Sequence, residues 1–219
     1  MEEVKFKKIP QHIAIIPDGN RRWAVKNGMQ KFEGYQYGIK PGVDSFKLCV
    51  ELGIKEFTFF GFTQDNTKRP KEQVDEFTKA CIESVKELSK LDSELIVIGK
   101  TDSEKFPKEL LKYTKRTKFN NGKIKVNFLV NYGWQWDLKY AYDNCIYKED
   151  MLKNIASSEI SKIDLVVRWG GRHRLSGILP VQTVYSDIYV VDDMWPDYKP
   201  EHLYNAMSWY QSQDDTLGG

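Results

Sequence analysis

Apolar residues along the chain form short continuous runs that alternate with longer stretches in which they recur every three or four positions. The runs are typical of strands buried on both faces, and the stretches are typical of helices with one face against a core. The predicted strands are 12–17, 56–62, 95–98, 124–130, 164–168 and 188–191. The predicted helices are 21–27, 41–52, 70–88, 104–118, 136–147 and 200–210. This alternation predicts an α/β fold with a central, mainly parallel, six-stranded sheet flanked by helices.

Ligands of such sheets bind beyond the carboxyl ends of the strands, so the residues that follow each strand are the candidates for chemistry. The first strand is followed by a carboxylate, a glycine, an amide and two guanidiniums, in the order Asp18, Gly19, Asn20, Arg21, Arg22. The arginines can bind phosphate oxygens, and Asp18 can hold Mg²⁺ between them. An ordinary helix cap, with Asp18 as the capping residue and the arginines in solvent, is the alternative interpretation.

The fifth predicted strand leads into a second basic loop. Its guanidiniums and hydroxyl belong to Arg168, Arg172, Arg174 and Ser176, and its glycines let backbone N–H groups approach a ligand. Such a cluster suits a diphosphate, and a solvated basic loop is the alternative. After the second strand come a hydroxyl, an amide and a cation, on Thr63, Asn66 and Arg69. These three residues are a weak signal, because the same side chains make ordinary caps and turns.

Composition narrows the class of protein. The 219 residues carry 33 basic and 31 acidic side chains, a net charge of +2, which argues against a nucleic-acid-binding protein. The three cysteines are isolated, which predicts reduced thiols in a cytoplasmic protein. There is no apolar run long enough to span a membrane, so membrane contact is predicted to be peripheral at most. The length fits a single domain over residues 1–219.

The order of these segments resembles the cis-prenyltransferase family, whose best-known member is undecaprenyl diphosphate synthase. The matching segments cover nearly the whole chain: 12–24, 62–70, 131–133, 164–168, 170–171, 174–176, 182 with 185, and 195–197. The resemblance implies a parallel sheet with surrounding helices, a hydrophobic tunnel for the growing isoprenoid, and a homodimer. It implies a Mg²⁺-dependent transfer of an allylic prenyl group to a second isoprenoid diphosphate.

The resemblance also assigns roles to residues. Asp18 matches the aspartate that binds Mg²⁺ with the allylic diphosphate, Asn66 matches a residue that assists ionisation and proton removal, and Asp187 stands where a glutamate completes Mg²⁺ binding. The expected catalytic residues are therefore Asp18 and Asn66, and the expected metal ligands are Asp18 and Asp187. The expected substrate-binding residues are Gly19, Asn20, Arg21, Arg22, Trp23, Lys31, Tyr35, Thr63, Arg69, Arg168, Arg172, Arg174 and Ser176.

Several positions depart from the family pattern. Tyr35 replaces a histidine, Trp169 replaces a threonine, and Arg172 replaces an acidic residue. The family's Tyr-Gly-Gly-Arg becomes Tyr-Gly-Trp-Gln at 132–135, and its basic tail is replaced by the acidic stretch 213–219. The changes concentrate around the second substrate, and the chain is short for a long-chain synthase.

These departures resemble the irregular branch of lavandulyl and cyclolavandulyl diphosphate synthases. The sequence therefore predicts a short-chain, non-head-to-tail enzyme with dimethylallyl diphosphate as the acceptor. Two alternatives stay open, namely regular head-to-tail condensation with isopentenyl diphosphate and a non-catalytic subunit of a prenyltransferase complex. An RNA-binding domain is disfavoured by the charge balance.

Overall fold

The computed structural model describes residues 6–214 and contains a twisted sheet of seven strands. The strands are β1 (His12–Ile16), β2 (Glu56–Thr63), β3 (Ser93–Ile98), β4 (Thr117–Phe119), β5 (Ile124–Tyr132), β6 (Leu165–Arg168) and β7 (Asp187–Val190). The α-helices are α1 (Asn20–Lys26), α2 (Ile39–Glu51), α3 (Lys71–Leu88), α4 (Trp134–Asn144) and α5 (Pro200–Tyr210). The strand order is β4-β3-β5-β2-β1-β6-β7, and every pair is parallel except β3 with β4.

The predicted α/β class with a mainly parallel sheet is confirmed, and the sheet has one more strand than predicted. The helix predicted over 104–118 is wrong. A 3-10 helix spans Lys108–Tyr113 instead, and β4 follows it. Pro107 disfavours helical backbone at the residue before it, and β4 pairs with Ser93–Leu95 along the otherwise open edge of β3. Edge pairing therefore overrides the helical spacing of this segment.

The two larger hydrophobic clusters of the described residues lie on opposite faces of β1. Ile13 and Ile15 point into a core shared with α2, α3 and α5, whereas Ala14 and Ile16 point into a second core with Ile178 and α4. Successive side chains of a strand point to opposite faces, so a strand between two cores must be apolar throughout. All five residues of β1 are buried, which holds the end of the strand and the turn after it in a fixed position.

A buried polar network lies at the amino-terminal ends of β1, β2 and β5. The His12 Nδ1 donates to the carbonyls of Lys162 (3.1 Å) and Ser161 (3.2 Å), and its Nε2 accepts from Thr58 Oγ1 at 2.7 Å. Glu56 accepts from Asn127 Nδ2 at 2.7 Å. Burial lowers the pKa of His12 below 6.5, although the nearby Glu56 carboxylate opposes that shift. His12 is therefore neutral in the folded protein at pH 7.

This network predicts an acid-sensitive fold. The pKa of His12 is lower in the folded than in the unfolded chain, so the unfolded state binds the extra proton first and the free energy of unfolding falls as pH drops below about 6.5. We expect His12→Gln to flatten this pH dependence between pH 7 and pH 5, with the exposed His173→Gln measured beside it for comparison. Urea unfolding at several pH values measures the slopes, and equal slopes in wild type and His12→Gln would contradict the prediction.

None of the helices described over 6–214 combines the length and the apolar composition needed to cross a membrane. Residues 1–5 and 215–219, which include most of the acidic tail noted in the sequence, lie outside the described residues.

Candidate active site

A cavity of about 910 Å³ opens at the carboxyl ends of β1, β2 and β6. The three predicted loops converge on it, because parallel strands place their carboxyl ends at one edge of the sheet. Fourteen of the residues expected to form the site line it: Asp18, Gly19, Asn20, Arg21, Arg22, Lys31, Tyr35, Thr63, Asn66, Arg69, Arg168, Arg172, Arg174 and Ser176. The cations outnumber the carboxylates of this set, so the cavity suits an anionic ligand.

The turn after β1 sets the position of Asp18. Gly19 has a φ of +113°, and a Cβ on it would lie 2.8 Å from Met194 Cβ, so only glycine fits there. The Asp18 carbonyl accepts from Trp195 N at 3.0 Å, which ties the turn to the segment that precedes α5. The carboxylate is about one-third exposed and lies beside two guanidiniums, since its Oδ2 accepts from Arg168 Nη2 at 2.7 Å and its Oδ1 is 3.5 Å from Arg22 Nη2.

Those guanidiniums decide the charge of Asp18. Burial by itself would raise the pKa of the carboxyl group, but the hydrogen bond and charge of Arg168, together with the charge of Arg22, outweigh it and hold the pKa below 3.8. Asp18 is therefore an anion at neutral pH, which is the state that binds a hard divalent cation.

Arg168 connects the two basic loops. Its side chain is 3% exposed, and besides the Asp18 contact its Nη1 donates to Ser176 Oγ at 2.8 Å and to the carbonyl of Arg174. Arg22 Nη2 donates to the carbonyl of Gly170 at 2.9 Å. A Cβ on Gly170 would lie 2.4 Å from that nitrogen, so the contact requires a glycine. The two loops therefore form one continuous arrangement of charges.

Tyr35, which replaces the family's histidine, holds Arg69 at the opposite wall of the cavity. Arg69 Nη1 donates to Tyr35 Oη at 3.0 Å, and the Tyr35 ring stacks on Phe77 with a centroid distance of 4.4 Å. Tyr35 thus orients a cation that lines the cavity. Asn66 is held by a capping box, because its Oδ1 accepts from Thr63 N at 3.0 Å. This bond leaves the Nδ2 amide of Asn66 as the group that can serve a ligand.

Two predicted site residues do not join the cavity. Trp23 turns away from the cavity, because successive residues of a helix point in different directions and Arg22 faces the cavity. Trp23 donates to Asp197 Oδ1 at 2.7 Å and packs on Tyr37. Asp187 begins β7 and is in register with Leu165, the first residue of β6, three residues before Arg168. That spacing places Asp187 roughly 10 Å from the carboxyl ends of the strands, toward their amino-terminal ends. Asp187 therefore does not line the cavity with Asp18, and its role as a metal ligand stays a prediction.

Sequence reasoning missed the apolar and acidic part of the lining. These residues are Ile16, Pro17, Val25, Phe60, Gly61, Asp65, Phe77 and Trp134. Most of them read as ordinary core or helix positions, so nothing local marked them. Trp134 is the exception, because it stands in the altered Tyr-Gly-Trp-Gln segment.

Trp169, which replaces the family's threonine, is a structural residue. It is fully buried, packs edge-to-face on Trp195 with a centroid distance of 4.8 Å, and donates from Nε1 to His202 Nδ1 at 3.1 Å. The His202 Nε2 in turn donates to Asp193 Oδ2 at 3.0 Å. These contacts anchor the start of the 168–177 loop to α5 and leave Trp169 out of the cavity.

Known proteins resemble this chain in sequence and in fold. The sequence profile of the undecaprenyl diphosphate synthase family matches residues 16–218. An isoprenyl transferase of Fusobacterium nucleatum is 33% identical over 97% of both chains. The (2E,6E)-farnesyl-diphosphate-specific ditrans,polycis-undecaprenyl-diphosphate synthase of Vibrio vulnificus is 29% identical over 97% of this chain and 92% of its own. The crystal structure of lavandulyl diphosphate synthase from Lavandula x intermedia in complex with dimethylallyl diphosphate has the same fold. Its TM-score is 0.83 at 23% identity, covering 96% of this chain and 98% of its own.

Proposed function

This chain belongs to the cis-prenyltransferase family, that of undecaprenyl diphosphate synthase, and is a prenyl diphosphate synthase, and we propose that it transfers a prenyl group in a short-chain, non-head-to-tail reaction. The acceptor in this proposal is dimethylallyl diphosphate. The observation that carries it is one cavity with two groups of cations. Arg21, Arg22 and Lys31 surround the donor side near Asp18, and the 168–177 loop supplies the acceptor side. Two diphosphates can therefore bind with their prenyl groups between them.

The proposed reaction begins when the allylic C–O bond of the donor breaks and diphosphate leaves. Arg22 and Lys31 stabilise the negative charge that develops on the leaving group. The electron pair of the acceptor's double bond then forms a C–C bond to the donor carbon. The resulting cation loses a proton to an oxygen of the released diphosphate, since the Asn66 amide is too weak a base. The site must exclude water, because water would capture the allylic cation.

The residues at Asp18 fit the Mg²⁺ that the family implies. No group of three or more His, Cys, Asp or Glu suited to a metal occurs in the part of the chain that the structure describes, so protein ligands alone would not hold the ion. Mg²⁺ is commonly bound by one or two carboxylates together with substrate phosphates, and the ionised Asp18 facing a diphosphate cavity meets that requirement. When bound, Mg²⁺ supplies charge neutralisation for the departing diphosphate.

Two features support a short product and an unusual acceptor. Phe77 lines the cavity and packs on both Tyr35 and Phe62. A large ring held in this wall takes up room that a long prenyl chain would need. On the acceptor side, Arg172 adds a guanidinium where the family has an acidic residue. Head-to-tail condensation with isopentenyl diphosphate stays the alternative, because the relatives include an undecaprenyl-diphosphate synthase.

Product analysis tests the proposal. The purified protein is incubated with Mg²⁺ and each of dimethylallyl, geranyl, farnesyl and geranylgeranyl diphosphate, with and without isopentenyl diphosphate. Mass spectrometry then identifies the dephosphorylated products. A branched ten-carbon product from dimethylallyl diphosphate alone is the expected result. Products that require isopentenyl diphosphate would replace the proposal with the head-to-tail alternative, and an inactive pure chain would indicate a non-catalytic subunit.

Arg172 provides a prediction for the acceptor side. We expect Arg172→Glu to raise the KM for the second substrate about tenfold, because a carboxylate replaces a cation beside its diphosphate. The KM for the donor should change by less than about twofold, since Arg22 and Lys31 are untouched. The KM of Arg172→Gln for the second substrate should lie between those of wild type and Arg172→Glu. Initial-rate kinetics with each substrate varied separately measure both constants, and a donor defect with normal acceptor saturation would contradict the assignment.

We also propose that residues 1–219 form one domain and that two copies pair through the β7 edge of the sheet. Large exposed apolar side chains gather in the segments 140–152 and 184–188: Tyr140, Tyr142, Ile146, Tyr147, Leu152, Val184, Tyr185 and Ile188. Ser157 bonds both Asp137 of α4 and Gln182, which draws these two segments together. A second copy would cover this surface. Sedimentation velocity measures the oligomeric state, and a monomer at micromolar concentration would overturn the pairing.

The cytoplasmic location remains a prediction, and it rests on three free cysteines, of which Cys49 and Cys81 are buried.

A further inference from the structure

Trp134 stands between the main cavity and a second cavity of about 440 Å³. It is the first residue of α4 and follows the carboxyl end of β5. The residues that line both cavities are Phe60, Thr63, Asp65, Trp134 and Ser176. Only Phe60 and Trp134 in this set are apolar, and Phe60 is almost fully buried whereas Trp134 is 43% exposed. Trp134 is therefore the large apolar surface that this side of the cavity offers to a ligand.

The backbone of the 168–177 loop holds the indole in place. Gly177 has a φ of +78°, and a Cβ on it would lie 2.8 Å from Trp134 Cδ1. The ring therefore lies directly against Gly177, which follows Ser176 in the chain. Ser176 Oγ is the group that accepts from Arg168 at 2.8 Å. The indole thus adjoins the cations that our proposed function assigns to the diphosphate of the second substrate.

The ring of Trp134 lacks the aromatic packing that its counterparts have. Trp23, Trp136, Trp169, Trp195 and Trp209 each pack on another aromatic ring. Across residues 6–214, no aromatic ring pairs with Trp134. An exposed indole is costly in water, and its exposed face here adjoins a ligand cavity rather than the core. The geometry indicates a surface that a ligand completes.

We propose that the indole of Trp134 binds the prenyl group of the second substrate and orients its double bond toward the donor. This inference rests on the proposed function. The remaining acceptor side of the cavity is polar, with Arg172, Arg174 and Asn66. These groups bind a diphosphate, but they give no favourable contact to a five-carbon apolar chain. An aromatic face supplies that contact, and it also tolerates the positive charge that the acceptor carries after C–C bond formation.

The experiment compares a prenyl diphosphate with the same anion without a prenyl group. Isothermal titration measures the binding of isopentenyl diphosphate and of inorganic diphosphate, with Mg²⁺, to wild type, Trp134→Ala, Trp134→Phe and Leu111→Ala. Isopentenyl diphosphate is suitable because its C–O bond is not allylic and it does not ionise on its own. Leu111 is the matched control, since it is a large apolar side chain of similar exposure (46%) that lines neither cavity. Kinetics of the same proteins give the KM for each substrate of the transfer.

We expect Trp134→Ala to bind isopentenyl diphosphate about tenfold more weakly and to raise the acceptor KM about tenfold, with inorganic diphosphate unchanged. Trp134→Phe should recover most of the loss, and Leu111→Ala should behave as wild type. Equal weakening of both ligands, or of neither, would overturn the inference. A further outcome is that wild type forms no product while Trp134→Ala still weakens the binding of isopentenyl diphosphate and not of inorganic diphosphate. In that case the proposed function fails, and the contact between the indole and the prenyl group stands.

Discussion

Replacing Asp18 with asparagine should lower kcat/KM by about 10³-fold, which corresponds to about 4 kcal/mol of lost transition-state stabilisation. Asparagine keeps an oxygen that can accept the hydrogen bond from Arg168, but it removes the charge that a divalent cation needs. The fold should survive, because the carboxylate is partly exposed and its hydrogen-bond partner is still satisfied. Asp18→Asn therefore separates the chemistry of the carboxylate from its structural contact.

The measurement is steady-state turnover over a range of Mg²⁺ concentrations, with circular dichroism and thermal unfolding as checks of the fold. Asp143→Asn serves as the control, since it removes one carboxylate from a surface pair with Lys139 on α4. We expect the control to retain wild-type kinetics. Turnover of Asp18→Asn within a few fold of wild type would remove Asp18 from the reaction. Because the pKa of Asp18 is held below 3.8, ionisation of this group should not limit the rate at any pH above about 5.

Replacing Arg168 with alanine should impair both substrates, which distinguishes it from its neighbours on the same loop. The Arg168 guanidinium donates to Asp18 on the donor side and to Ser176 on the acceptor side. Each charge-assisted hydrogen bond contributes about 1.5–3 kcal/mol, so losing both should lower kcat/KM by roughly 10³-fold. Arg174→Ala should raise the KM for the second substrate only.

Stability provides an independent readout for Arg168. Its removal leaves Asp18 without its closest partner and releases the 168–177 loop, at a cost of about 2 kcal/mol in the free energy of unfolding. In a chain of this length the melting temperature should fall by about 4–8 °C. Arg168→Lys keeps the charge, but its single nitrogen cannot replace two guanidinium nitrogens, of which one contacts Asp18 and the other contacts Ser176. It should therefore recover part of the stability and little of the activity. An unchanged KM for the donor in Arg168→Ala would contradict the role of Arg168 in connecting the donor and acceptor sides.

Local chemistry explains what could be predicted about the two basic loops. The apolar run 12–16 is typical of a strand buried on both faces, and a polar segment directly after such a strand lies at the carboxyl ends of the strands of a parallel sheet. The same reasoning applies to Arg168 at the end of β6. The position of the site and most of its cations therefore follow from contiguous patterns in the chain.

Other features depend on which segments become neighbours. Arg22 and Trp23 are adjacent in sequence, yet one faces the cavity and the other faces Asp197, because a helix turns between them. Asp187 was expected beside Asp18, but the register of β7 with β6 places it toward the amino-terminal ends of the strands. Strand register depends on pairing partners across the sheet, and no local pattern near Asp187 encodes it.

By itself, the sequence determined the α/β class, the family and the three loops that line the cavity, because each rests on short stretches whose periodicity and composition have few structural solutions. Only the tertiary structure decided that 117–119 is an edge strand, that Arg168 binds Asp18 from 150 positions away, and that Trp134 lies against Gly177. These are contacts between distant segments. Their formation depends on how the sheet and its loops pack together, and local propensity carries no information about it.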